Sequence, residues 1–111
     1  MGDEAPEVVR RYFDRMRRRD LSVIDLFHED ASLVGLGGVR SGKPAIREFY
    51  EGSIQNASPS PTLTGALLVT GARVAAEINI TLSNGSSVHA VDLFVVEDGL
   101  IRSLTYFIAD H

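Results

Sequence analysis

The chain has 111 residues, 44% of them hydrophobic and 23% charged, a formal net charge of −4 and no cysteine. That length buries one core and not two, so a single domain over residues 1–111 is expected, of ordinary globular composition. The missing cysteines exclude disulfides, thiolate metal sites and cysteine nucleophiles, and the acidic balance argues against nucleic acid or an anionic membrane surface as partner.

No apolar run approaches the ~20 residues of a membrane span. The first residues, Met1-Gly2-Asp3-Glu4, are acidic and carry no apolar leader segment. A cytoplasmic location is the expectation from these signs.

In chain order, Val9, Tyr12, Phe13 and Met16 recur at the spacing of one helix face. Six of the eleven basic residues lie in the same segment. Arg17, Arg18 and Arg19 close it, where positive charge meets the negative end of the helix dipole. Asp20 reads as the N-cap of a short second helix through Leu21, Ile24 and Phe27. A short strand over 31–34 runs into the turn Gly35-Leu36-Gly37-Gly38. Ser41-Gly42-Lys43-Pro44 predicts a third helix, capped by Ser41, burying Ile46, Phe49 and Tyr50 and ending before Gly52.

Residues 56–61 read as a loop. Strands are predicted over 62–70, 73–82, 88–96 and 100–109, the middle pair joined at Asn84-Gly85. The order α-α-β-β-α-β-β-β-β is segregated, which points to an α+β domain. Val91-Asp92-Leu93-Phe94-Val95-Val96 is apolar on both faces, and helices cover only one face of such a sheet. A homodimer is the expected cover for the other.

A two-residue loop at Asn84-Gly85 would set Glu77 opposite Asp92, two carboxyls close enough to share a proton. A three-residue loop would instead send Glu77 to the other face. Pattern alone groups Ile78, Ile80, Val91 and Leu93 on one face, which would leave Glu77 and Asp92 outside. His28, His89 and His111 lack metal-ligand spacing, so no metal is expected. His28 is explained by a helix C-terminus. His89 falls on a strand, within reach of a pocket or an interface, and His111 is terminal. The arginine cluster lacks interleaved aromatics and reads as a solvated helix end. Gly35-Leu36-Gly37-Gly38 has neither the lysine nor the strand-to-helix setting of a nucleotide loop.

The sequence resembles the ketosteroid isomerase-like, or SnoaL-like, branch of the NTF2-like superfamily. The carriers are Tyr12-Phe13, Asp20-Leu21, Leu26-Phe27-His28-Glu29-Asp30-Ala31, the stretch from Ser41 to Tyr50 and that from Val91 to Ile101. The resemblance implies a cone-shaped, curved mixed sheet wrapped around a long N-terminal helix, with a pocket at the open end. It also implies an oxyanion hole of a tyrosine and a protonated aspartate, at Tyr12 and Asp92, and a proton-transferring base at position 35. Position 35 is glycine here, so the base is missing and Glu77 is the candidate replacement. Phe49, Tyr50, Phe94, Leu104 and Tyr106 are the expected apolar pocket walls. Beside this stand plainer readings: Asp92 bound to backbone or facing outward, and Tyr12 as a core tyrosine with a satisfied hydroxyl.

The implied function is cofactor-independent isomerase or cyclase chemistry on a small, largely apolar carbonyl compound, steroid- or polyketide-like. The alternatives are a non-catalytic binding or dimerisation module, and epoxide hydrolysis with Arg73 or Arg102 as the positive group.

Overall fold

The computed structural model describes residues 4–35 and 37–109; Met1-Gly2-Asp3, Leu36 of the glycine turn, Asp110 and His111 lie outside them. Helix α1 spans Glu4–Arg17, with Glu4 and Glu7 in its first turn and Arg15 and Arg17 in its last, each matched in sign to the helix dipole. Its buried stripe, Val8, Val9, Tyr12, Phe13 and Met16, lies on the inner face of the sheet.

Asp20 accepts a hydrogen bond from the Ser22 N–H at 2.9 Å, as an N-cap does, but the segment it opens is a 3-10 helix over Leu21–Leu26. Phe27 is therefore not helical. It begins strand β1, Phe27–Val34, which is longer than the predicted 31–34. Its extra residues, His28 to Asp30, form an irregularity at which the pairing of β1 with the last strand shifts register. His28 thus sits in a strand, and its ring lies 3.3 Å from the Arg102 guanidinium.

After the glycine turn come β2 (Val39–Ser41) and α2 (Lys43–Asn56). The N-cap of α2 is Gly42, at φ +89, and not Ser41. The helix continues through Gly52 for another turn, since one interior glycine costs only about 1 kcal/mol. It stops where Ser58 enters the left-handed region at φ +44 and Pro59 follows.

The predicted strand over 62–70 is two short ones, β3 (Ser60–Leu63) and β4 (Leu68–Thr70), laid end to end along one edge of β5 (Arg73–Thr81). Strands β6 (Ser87–Glu97) and β7 (Leu100–Ile108) complete a sheet of order β2-β1-β7-β6-β5-β3. Among the described residues only the β1–β7 pairing is parallel, so the sheet is mixed and open-ended. Among the described residues no helix is long and apolar enough to cross a membrane.

The β5–β6 hairpin decides what the inner face carries. Leu82 and Ser86 close the turn, with a 2.9 Å bond from the Leu82 N–H to the Ser86 carbonyl. The loop is three residues, Ser83-Asn84-Gly85, with Gly85 at φ +89. Glu77 consequently pairs with Val91, while Asp92 pairs with Ala76. Val74, Ala76 and Ile78 of β5 then share the inner face with Ala90, Asp92, Phe94 and Val96 of β6, and all are buried. The apolar grouping expected from pattern is corrected by this one-residue shift: Ile78 faces inward and Val91 outward.

Candidate functional site

Three tyrosines converge on the inner face from three separate elements. Tyr12 comes from the middle of α1, Tyr50 from the buried side of α2, and Tyr106 from β7. Their hydroxyl oxygens form a closed triangle: Tyr12–Tyr50 2.7 Å, Tyr12–Tyr106 2.6 Å and Tyr50–Tyr106 2.8 Å. Three hydroxyls carry three protons, so a closed ring in which each gives one bond and takes one leaves no proton over. The ring still offers lone pairs, and it opens a donor only when one internal bond yields to a stronger acceptor.

Asp92 supplies the further proton. It pairs directly with Tyr106 across β6 and β7 and points to the same face. It is fully buried, and neither carboxyl oxygen has a hydrogen-bond donor among the described residues. Burial without a partner raises its pKa to about 8, so at neutral pH the carboxyl is largely protonated. Burial likewise holds the hydroxyls of Tyr12, Tyr50 and Tyr106 well above the ordinary tyrosine range. At pH 7 the site is thus a set of neutral O–H groups.

These groups end a small cavity of about 60 Å³, lined otherwise by Phe13, Met16, Phe49, Pro59, Pro61 and Ile78 among others. Phe49, Ser53 and Ile80 are half-exposed and form its mouth. The Arg40 guanidinium stacks on the Phe49 ring, 4.5 Å from its centroid. Among the described residues no lysine, arginine or histidine lines the cavity.

Of the expected site residues, Tyr12, Asp92, Phe49, Tyr50 and Tyr106 line this cavity together. Phe94 and Leu104 do not. They face each other one pair below Asp92 and Tyr106, wholly buried in the core, with Phe94 5.2 Å from the Tyr12 ring in an edge-to-face contact. Glu77 lies on the opposite face of the sheet, its carboxylate 2.6 Å from His89 Nε2, and cannot meet Asp92. The hairpin loop, one residue longer than expected, is the cause. His89 is on that outer face too, away from the cavity.

Gly35 has a structural reason to be glycine. It sits at φ +107, and a Cβ there would come 2.7 Å from the Tyr106 carbonyl oxygen. The position expected to hold a base is therefore closed by the strand that carries Tyr106. Arg73 is exposed on the outer face, and Arg102 reaches Glu97 and His28, so neither cation proposed for epoxide chemistry lines the cavity.

Sequence reasoning rated Tyr50 and Tyr106 only as walls and missed the ring. Only a partial signal was available for Tyr106: the tight Asp98-Gly99 turn, with Asp98 at φ +53, would by itself set position 92 opposite position 105, and an irregularity between Val95 and Val96 shifts the register so that Tyr106 faces Asp92. For Tyr50 there was none, because its distance from Tyr12 depends on how α2 docks.

The SnoaL-like domain family matches residues 9–104 of the chain. No curated protein matches it. Among solved structures, a provisionally assigned ketosteroid isomerase from Kribbella flavida DSM 17836 superposes with a TM-score of 0.87 at 23% identity, over 99% of this chain and 81% of that one. A provisionally assigned polyketide cyclase from Sinorhizobium meliloti gives 0.84 at 23%, over 96% and 98%. A protein of unknown function with a cystatin-like fold from Methylobium petroleophilum PM1 gives 0.86 at 21%, over 100% and 79%. At these identities the likeness is one of fold.

Proposed function

The chain belongs to the SnoaL-like domain family, and from that premise we propose that it takes a small, largely apolar carbonyl compound, steroid- or polyketide-like, as an isomerase or cyclase without a cofactor. The carbonyl oxygen sits at Tyr12 and Asp92. The observation that carries this reading is Asp92: a buried carboxyl, both oxygens unpartnered among the described residues, beside three tyrosine hydroxyls in a cavity otherwise lined by apolar side chains and Ser53. A protonated Asp92 donates to the ligand oxygen, and the tyrosine ring releases one O–H as that oxygen gains charge. Each donor aimed at a developing oxyanion contributes about 3 kcal/mol. A 60 Å³ cavity is less than half the ~150 Å³ that admits benzene. Only the oxygen-bearing end of such a ligand is enclosed, and the remainder leaves past Phe49 and Ile80.

A second reading, binding without turnover, is favoured by one observation. With Gly35 closed by the Tyr106 carbonyl and Glu77 on the far face, Asp92 is the only carboxyl among the described residues that line the cavity. The two readings share the binding geometry and part at turnover.

The test is titration with a fluorescent phenolic steroid, whose phenol mimics the oxyanion, against wild type, Tyr12→Phe and Asp92→Asn. Binding that weakens about tenfold or more in each variant is expected, the size of a lost hydrogen bond to a charged group. Binding indifferent to both changes would refute the site. Hydrogen–deuterium exchange at the α-carbon of an enolisable ketone, lost in Asp92→Asn, then separates catalysis from binding alone.

A further inference from the structure

We propose that the compound taken by this cavity carries a carboxylate at its exposed end, and that Arg40 is the residue that reads it. The inference rests on the ligand reading above, which seats the carbonyl oxygen at Tyr12 and Asp92 and leaves the rest of the ligand outside. That remainder passes Phe49 at the mouth, and the guanidinium of Arg40 lies 4.5 Å over the Phe49 ring.

The register explains how a charge comes to be there. Arg40 of β2 pairs with Leu33 of β1, Leu33 with Leu104 of β7, and Leu104 with Phe94 of β6. Directly paired residues share a face, and Leu33, Leu104 and Phe94 are all buried in the inner-face core. Arg40 is thus the last member of an inward-facing row, one pair away from the row that carries Asp92 and Tyr106. Strand β2 is only three residues long and stands at the edge of the sheet. The Arg40 side chain therefore reaches beyond the core and lies against Phe49 of α2.

Two features fit Arg40 for an anion. Among the described residues it forms no ion pair, whereas Lys43 and Arg47 of α2 are matched to Glu29 and Glu51. Acidic residues outnumber Lys and Arg by 15 to 11 in this chain, so a half-buried cation without an internal partner is left with its charge to offer. Its face is also taken up by an aromatic ring, which leaves the N–H edges of the fork free for the two oxygens of a carboxylate. Arg17, next to the cavity residue Met16, is exposed, and its Nη1 already donates to the Pro61 carbonyl at 3.4 Å.

The two ends of the site then sort the two ends of the ligand. Neutral O–H groups and no lining cation receive the ketone, and the guanidinium receives the carboxylate, so the reversed orientation leaves a charge unpaired in the cavity. The Phe49 ring lies 5.1 Å from that of Tyr50, so a compact apolar body joins the two ends.

The test compares two fluorescent probes, 2-naphthol and 6-hydroxy-2-naphthoate. Both present a phenolic oxygen to Tyr12 and Asp92, and only the second carries a carboxylate at its far end. In wild type the naphthoate is expected to bind about tenfold tighter, the scale of one hydrogen bond to a charged group. Arg40→Met keeps an apolar chain over Phe49 without the charge and should erase that ratio, while Arg17→Gln should leave it. Equal affinities in wild type overturn the proposal, as does a ratio that survives Arg40→Met or one that Arg17→Gln removes. An equal loss for both probes in Arg40→Met means that Arg40 only props the Phe49 ring, and overturns it too. Each variant is its own reference, so a change in stability does not alter the ratio. Naphthol binding that weakens in Tyr12→Phe and Asp92→Asn while the wild-type ratio is one refutes the carboxylate alone. Binding of both probes that is indifferent to Tyr12 and Asp92 refutes the cavity reading, and this inference with it.

Discussion

Asp92 is where one residue sets the behaviour of the protein with pH. Its pKa rises from an ordinary carboxyl value to about 8 on burial, so between roughly pH 4 and 8 the folded chain holds a proton that the unfolded chain has lost. The stability linked to that proton is complete below pH 4 and is lost as pH rises through 8, at a slope of up to about 1.4 kcal/mol per pH unit. Urea midpoints of wild type should therefore fall between pH 5 and 9, and those of Asp92→Asn should fall less. Parallel curves for the two proteins would contradict a buried neutral carboxyl. Probe binding should weaken above pH 8 for the same reason, since ionised Asp92 cannot donate to an oxyanion.

Gly35 yields a second residue-scale expectation. Gly35→Asp places a side chain against the Tyr106 carbonyl at a positive φ, so it should lower the melting temperature and add no turnover on enolisable ketones. A folded, more active Gly35→Asp would show that the strand can yield there. The carboxyl at 92 was legible in the sequence as an anomaly within an apolar strand. Its protonation state follows from the missing donors around it, and that is a property of packing.

The β5–β6 hairpin shows how an element redirects chemistry. Asn84-Gly85 correctly marks the turn, yet Ser83 belongs to the loop, and this one residue carries Glu77 from Asp92 to His89. Gly85 at φ +89 holds the three-residue form. Gly85→Ala should cost about 1 kcal/mol or more, because alanine resists positive φ. For a chain this size that is a fall of several degrees in melting temperature, measurable by calorimetry. No change would mean that the loop tolerates another conformation. Helix α2 teaches a related lesson. Gly52 looks like a terminator, but Ile46 and Tyr50 before it anchor the helix in the core, and tertiary packing outweighs the local cost of one glycine.

At the scale of the molecule, the two faces of the sheet divide the labour. The inner face, with α1 and α2, forms the core and the tyrosine–aspartate cavity. The outer face leaves Leu68, Val91 and Phe107 exposed. If a second copy covers that face, as the sequence leads one to expect, the melting temperature should rise with protein concentration; a constant melting temperature would argue against it.

The α+β order and the buried stripe of α1 were readable in the sequence, because periodicity and local turn chemistry are written in neighbouring residues; the family, and Tyr12 and Asp92 as the residues to watch, came from the resemblance of its motifs. Only the tertiary structure decided that Phe94 and Leu104 lie beneath the cavity, that Glu77 is outside, and that three tyrosines from α1, α2 and β7 close a ring. The hydroxyls of Tyr12 and Tyr106 touch across 94 residues of chain. Such a meeting depends on how separate elements dock and on a strand register that one loop residue can invert, and no local pattern encodes either.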